Sequence, residues 1–221
     1  MIEVAFSTGD RPPLIPASIY ALGRNYAEHA REMEADPEPV VFIMPRTALR
    51  PGGGRIRRPE GCSLVHHEVE VVLALGIGGS RLSAREADDA IAGLAIGVDL
   101  TARDIQARAK EKRHPWARSK GFAGAAPISA LAPWAPWKRR WKEIDLHLSV
   151  CGTRRQSGTL GQAILSPVET VMQLSRWFEL EAGDLIFTGT PAGVGPIQPG
   201  EPCVAKSLAL GMEVAFELWV P

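Results

Sequence analysis

Cysteine is nearly missing from this chain: Cys62, Cys151 and Cys203 lie far apart, and no C-x-x-C spacing occurs. That excludes a zinc knuckle or a disulfide framework and fits a reducing, cytoplasmic setting. Net charge is missing too, because 25 Lys+Arg balance 25 Asp+Glu. Without a basic field there is little to concentrate nucleic acid or an anionic membrane, so neither is an expected partner. No apolar run reaches the length of a membrane span, and Met1 to Phe6 lacks a basic region followed by a long apolar stretch. The chain therefore reads as soluble, with no targeting signal of its own. Neither an internal repeat nor a dividing linker is present, and 221 residues suit one substantial core. One catalytic domain over residues 1–221 is expected, with about the first 20 residues as a lead-in.

Glycine and proline are plentiful, at 22 and 18, and they punctuate short apolar runs. Such punctuation favours strands and tight turns over long helices, which predicts a β-dominated α+β fold. Val40 to Met44 and Val69 to Leu75 are predicted strands, and Pro51-Gly52-Gly53-Gly54 a mobile turn. Ser83-Ala84-Arg85-Glu86 has the form of a capping box, opening a helix through about Ala92, with a buried strand from Gly93 to Val98. Thr101 to Lys112 has a helical pattern, and Trp116 to Phe122 is irregular. Leu146 to Val150 alternates as a strand that turns at Gly152-Thr153 and returns from Arg154. Pro167 to Phe178 is the clearest helix. A strand from Gly183 runs into the turn Thr188-Gly189-Thr190-Pro191, and two more strands lie between Val204 and Val220. Trp134-Ala135-Pro136-Trp137-Lys138-Arg139-Arg140-Trp141 mixes aromatic and basic residues, but stacking platforms for nucleic acid sit in a wider basic field. A proline-broken loop whose tryptophans cover a hydrophobic edge or a subunit interface is the expected reading.

Two carboxylates interrupt an otherwise apolar strand in His66-His67-Glu68-Val69-Glu70. Strand residues i and i+2 share a face, about 6.5 to 7 Å apart, so Glu68 and Glu70 point the same way and Val69 the other. Their mutual repulsion is relieved either by solvent on an exposed edge strand or by a divalent cation with a taste for oxygen, Mg²⁺ or Mn²⁺. Asp99, at the end of the next buried strand, is either a third ligand or the N-cap of the following helix. His29 and Glu32 lie three apart on one helical turn, where a carboxylate can raise the basicity of an imidazole; the alternative is a surface pair. Gly23 before them and an acidic, proline-containing stretch after them make residues 23–36 a candidate mobile lid. Lys120 and Arg103 are either anion holders or solvated cations. The Thr188 to Pro196 turn can bind a carboxylate through its N–H groups, but lacks the Gly-Lys-Ser/Thr ending of a P-loop.

Gly23-Arg24-Asn25-Tyr26, Glu68-x-Glu70, Asp99-x-Thr-Ala-Arg-Asp-x-Gln106, Lys120 and Thr188-Gly189-Thr190-Pro191 through Gly195-Pro196, in this order, resemble the fumarylacetoacetate hydrolase family. The length, the His-His before the Glu pair and Pro115-Trp116 are most similar to its short acylpyruvase and oxaloacetate decarboxylase branch. The resemblance implies a rolled, mixed sheet, a homodimer, and Mg²⁺ or Mn²⁺ at Glu68, Glu70 and Asp99. It implies a water-activating dyad of His29 and Glu32, and Lys120 beside the developing charge. A 2-oxo acid substrate would be oriented by Arg24, Arg103, Gln106 and Thr190. The activity it implies is hydrolysis of 3-acylpyruvates, with oxaloacetate decarboxylation at the same site. The rival readings are isomerisation of an unsaturated 2-hydroxy or 2-oxo dicarboxylic acid of aromatic catabolism and a catalytically silent metal-binding protein. Two departures stand out: Met44 where relatives usually carry Lys, and Gly121 where they usually carry Ser. Loss of a cation near the pocket is expected to change substrate charge preference.

Overall fold

The computed structural model describes residues 2–27 and 39–220. In chain order the first strands are β1 (Ile19–Gly23), β2 (Val40–Met44), β3 (Leu49–Pro51), β4 (Gly54–Arg57), β5 (Val65–His67) and β6 (Val69–Leu75). Helix α1 (Ala84–Ala90), β7 (Ile91–Val98), β8 (Thr101–Ala102), α2 (Arg103–Glu111) and α3 (Ala117–Lys120) follow. Then come β9 (Ala126–Ile128), β10 (Ala132–Pro133), β11 (Asp145–Val150), β12 (Thr153–Thr159) and α4 (Pro167–Leu174). The chain closes with β13 (Leu185–Phe187), β14 (Gly195–Ile197), β15 (Pro202–Ser207) and β16 (Met212–Trp219). Strand dominates, as composition predicts.

The main sheet is mixed and curled, in the order β2-β1-β13-β6-β7-β9-β3, with β10 also paired to β7. A second sheet runs β12-β11-β15-β16-β4, and a third, β14-β5-β8, sits beside the functional residues. Strand period separates two apolar layers on the faces of the main sheet. Val69, Val71, Leu73 and Leu75 enter one layer, and Val72 and Ala74 the other. Glu68 and Glu70 continue the Val72–Ala74 face, so Val69 does point away from them.

Tertiary pairing moved several element ends. Helix α1 has the expected capping box, Ser83 accepting from the Glu86 N–H, but stops at Ala90 because Ile91 already pairs with Leu75. Helix α2 starts at Arg103 rather than Thr101, since Thr101 and Ala102 pair with His66 and Val65. Helix α4 ends at Leu174, four residues short of Phe178, where the Ser175 hydroxyl donates to Met172 O and accepts from the Leu82 N–H. Ala117 to Lys120 form one helical turn inside the stretch expected to be irregular. The turn at Gly53 is packed rather than loose: a Cβ there would stand 2.1 Å from Ala215 O. Trp134 is buried and donates from Nε1 to Asp88, and Trp137 and Trp141, half-buried, pack against the core.

Candidate active site

The ladder between β6 and β7 assembles the acidic centre. Val69 lies opposite Val98 in antiparallel register, and the Asp99 N–H donates to Glu68 O at 2.8 Å. Asp99 therefore stands across from Glu68, on the face Glu70 shares, at the close spacing of cross-strand neighbours. One carboxylate oxygen from each of the three lies within 4.8 Å of the others. All three are buried, and β6 is flanked by β13 and β7, which rules out a solvated edge strand. The N-cap position of α2 is Ala102, so Asp99 does not cap that helix.

Two cations answer the three acids. Lys120 Nζ donates to Glu68 Oε2 at 2.9 Å and to Asp99 Oδ2 at 2.5 Å. Arg103 donates from Nη2 to Glu68 Oε1 at 2.5 Å and from Nη1 to Gln106 Oε1 at 2.7 Å, while its Nε donates to His66 Nδ1 at 3.3 Å. Neither cation is merely solvated. The Gly189 N–H donates to Glu70 Oε2 at 2.7 Å, so the glycine-rich turn does hold a carboxylate, the protein's own. Gly189 has φ 95°, and a Cβ there would meet Asn25 Cβ at 2.9 Å, so this approach requires glycine.

Burial and mutual repulsion set the titration of the centre. Burial, then Asp99 and Glu68, push Glu70 well above the usual carboxylate range. Burial raises Asp99 to about 6 although Lys120 pulls the other way. Burial opposes the charge on Lys120, but Asp99 and Glu68 outweigh it and the ammonium is held more firmly than usual. Burial and then Arg103 lower His66 to about 4, which keeps that ring neutral and able to accept from Arg103.

Gln156 and His67 brace the centre from behind. The His67 Nδ1–H donates to Gln156 Oε1 at 2.8 Å, and the Val69 N–H reaches the same oxygen at 3.1 Å. Gln156 Nε2 donates to Thr190 Oγ1 and Pro191 O, and the Thr190 hydroxyl donates to Val69 O at 2.8 Å. Thr190 lines the pocket, with its hydroxyl proton committed to that carbonyl. Asn25 ties the other side, donating to Thr188 O and accepting from the Leu165 N–H.

The pocket brings together Arg24, Arg103, Gln106, Lys120 and Thr190 with the triad Glu68, Glu70 and Asp99. It also includes residues that sequence reasoning passed over: Leu22, Val40, Phe42, Lys110 and Trp116. The signal for Lys110 was its spacing, seven after Arg103 on one helix face. Phe42 and Trp116 meet edge-on, ring centroids 6.0 Å apart, and Lys120 Nζ lies 5.1 Å from the Phe42 ring centre. His29, Glu32 and most of the 23–36 segment fall outside the described residues; Arg24, at its start, has φ 66°. Met44 is buried among Ile19, Leu49 and Val72 in the apolar layer and does not line the pocket. Gly121 packs on the neighbouring Pro45, where a Cβ would stand 2.7 Å from Pro45 Cδ.

A divalent cation fits this donor set. The ligands are hard oxygens, and among the described residues Asp99 Oδ1 is buried without a hydrogen-bond partner.

Comparison with known proteins gives a consistent picture. The family model described as fumarylacetoacetate (FAA) hydrolase C-terminal matches residues 18–215. A mitochondrial oxaloacetate tautomerase of Mus musculus, FAHD1, is 40% identical over 189 residues, covering 83% of this chain and 84% of that protein. A mitochondrial oxaloacetate decarboxylase of Dictyostelium discoideum is 37% identical, covering 90% of this chain and 93% of its own. Among solved structures, a fumarylpyruvate hydrolase from Pseudomonas aeruginosa in complex with Mn²⁺ and pyruvate superposes with a TM-score of 0.93 at 36% identity, covering 100% and 96% of the two chains. A 5-carboxymethyl-2-hydroxymuconate delta-isomerase from Mycobacterium smegmatis superposes with a TM-score of 0.81 at 29% identity, covering 95% and 81%.

Proposed function

Because the chain belongs to the fumarylacetoacetate hydrolase family of enzymes, we propose that it hydrolyses the C–C bond of 3-acylpyruvates, dependent on Mg²⁺ or Mn²⁺. The observation that carries this reading is the buried triad with its orphaned Asp99 oxygen, in a pocket that also presents cations for an anionic substrate. Water and R–CO–CH₂–CO–COO⁻ become a carboxylic acid and pyruvate, one C–C bond breaking as a C–O and a C–H bond form. A divalent cation held by Glu68, Glu70 and Asp99 would act as Lewis acid on the 2-oxo acid and stabilise charge that develops on its 2-keto oxygen. Arg103 and Arg24 orient the substrate carboxylate. Gln106 accepts from Arg103 through Oε1, which leaves its Nε2 as the donor to substrate. Thr190 shapes the wall behind the reacting carbons. Lys120 keeps a positive charge against the leaving enolate of pyruvate. His29, supported by Glu32, takes the proton of the attacking water on an imidazole nitrogen.

Oxaloacetate is a second substrate on this reading, favoured by the tautomerase and decarboxylase activities named for the relatives. Loss of CO₂ or a keto–enol proton shift needs the same carboxylate and 2-keto anchors but no hydrolytic water. The isomerase resemblance supports a third reaction, proton transfer within an unsaturated dicarboxylic acid. As in the family resemblance, the working form is a homodimer and the partner a small 2-oxo acid. Acetylpyruvate, fumarylpyruvate, oxaloacetate and an unsaturated 2-hydroxy dioate, assayed with Mg²⁺, with Mn²⁺ and after chelation, test the proposal. Metal-dependent release of pyruvate from the acylpyruvates is the expected result. Products equal in mass to substrate throughout, or turnover indifferent to chelation, would refute it.

A further inference from the structure

Helix α2 presents Arg103, Gln106 and Lys110 to one pocket, at i, i+3 and i+7, the spacing of a single helix face. Seven residues of helix rise about 10 Å, so the two cations stand two turns apart along that wall. Arg103 is committed at the inner end, to Glu68 and Gln106. Lys110 is different: it is solvent-exposed at the mouth, and among the described residues no carboxylate lies within ion-pair distance of it. Its Nζ is instead held over the Trp116 ring, 5.3 Å from the centroid. A cation parked on an aromatic face keeps its charge and its hydrogen-bond donors available to an incoming anion. The surrounding field is positive: burial, then Arg103 and Arg24, lower the pKa of Lys110, and an arriving negative charge relieves that repulsion. Leu22 and Val40 add apolar lining, and an aromatic pair links the inner and outer cations: Lys120 lies over Phe42, Phe42 meets Trp116, and Trp116 carries Lys110. A carbon chain with an anion at each end matches this order of surfaces.

We propose that Lys110 is a specificity-determining residue that binds a second, distal carboxylate, so that the site prefers 2-oxo diacids to 2-oxo acids with neutral tails. The inference rests on the proposed 2-oxo acid chemistry and assigns the charge at the far end of the substrate. One ammonium–carboxylate contact at a partly exposed site corresponds to a preference of roughly tenfold.

Binding reads this without turnover. Two matched pairs lack a cleavable acyl group: 2-oxoglutarate against 2-oxopentanoate, and 2-oxoadipate against 2-oxohexanoate. Calorimetric titration of the Mn²⁺-loaded protein should give the diacid about tenfold tighter binding in at least one pair. Lys110→Met should reduce that preference to less than about threefold, and Lys110→Arg should retain it. Lys110 is exposed, so both variants should fold, which near-ultraviolet circular dichroism checks. Equal binding of diacid and monoacid by the wild type, or a preference that survives in Lys110→Met, overturns the assignment of Lys110 alone. If none of the four probes binds, the 2-oxo acid reading itself falls, and this inference falls with it.

Discussion

Replacing Asp99 by Asn separates the cost of the acidic centre from its use. Asn has the shape of a protonated Asp but carries no charge, and the folded protein holds the Asp99 carboxyl at about 6 against an ordinary 3.8. That rise of roughly two units corresponds to about 3 kcal/mol. A raised carboxyl pKa favours the folded state fully only below the unfolded value, and the benefit is lost as pH rises through the folded value. At pH 7.5, without metal, the ionised Asp99 is therefore a burden, and Asp99→Asn should be more stable than wild type by up to about 3 kcal/mol. The gap should close as pH falls from 7 toward 4. Metal closes the gap, because a ligand bound only by the folded state adds about 3 kcal/mol at a hundredfold excess over Kd, and the variant has lost one of three carboxylates; only a larger excess puts wild type ahead. Urea unfolding followed by tryptophan fluorescence, at pH 4.5 and 7.5, with chelator and with Mg²⁺, measures all four corners. A variant less stable than wild type in chelator at pH 7.5, or equal stabilisation of both proteins by Mg²⁺, would refute the reasoning.

Two further outcomes test the dyad proposed for the reaction and the bracing of the acidic centre. His29→Ala should lower 3-acylpyruvate hydrolysis by about 10²- to 10⁴-fold while sparing oxaloacetate decarboxylation, which uses no water; unchanged hydrolysis in a steady-state assay would remove the dyad from the mechanism. Gln156→Leu leaves His67, the Val69 N–H and Thr190 without their shared partner and should cost about 2 to 4 kcal/mol in urea unfolding, with metal affinity weakened through the displaced turn at Gly189. A loss below about 0.5 kcal/mol would show that water replaces the amide at no cost.

The acidic triad was legible because its logic is local. Alternation within one strand puts Glu68 and Glu70 on one face, and Asp99 ends the very next strand, so an antiparallel pair of neighbours brings it across from Glu68. The capping box of α1 was legible for the same reason: Ser83 and Glu86 satisfy each other within one turn. What escaped depended on distant partners. Gln156 follows two arginines in an exposed-looking strand, and only the third sheet lying beside it turns that residue inward. The ends of α1, α2 and α4 were set by pairing to Leu75, to His66 and to Leu82, contacts that local propensity does not contain. Lys120, read by itself, favoured a solvated cation; its role as the partner of Glu68 and Asp99 emerges only when α3 folds against the end of β7.

The two departures from the usual family pattern meet in the fold. Met44 and Gly121 are 77 positions apart, yet Gly121 packs on Pro45, the residue after Met44, and both lie outside the pocket wall. Their substitution is a packing event: Met44 fills the apolar layer, and the absent Cβ at position 121 lets the end of α3 close on Pro45, where Ala117 O leaves only 2.8 Å. That contact lies at the end of α3, the turn that carries Lys120 to the acidic centre. Met44 itself adds no charge to the pocket wall. The cations that line the pocket come from Arg24 beside β1, from the inner face of α2 and from the end of α3.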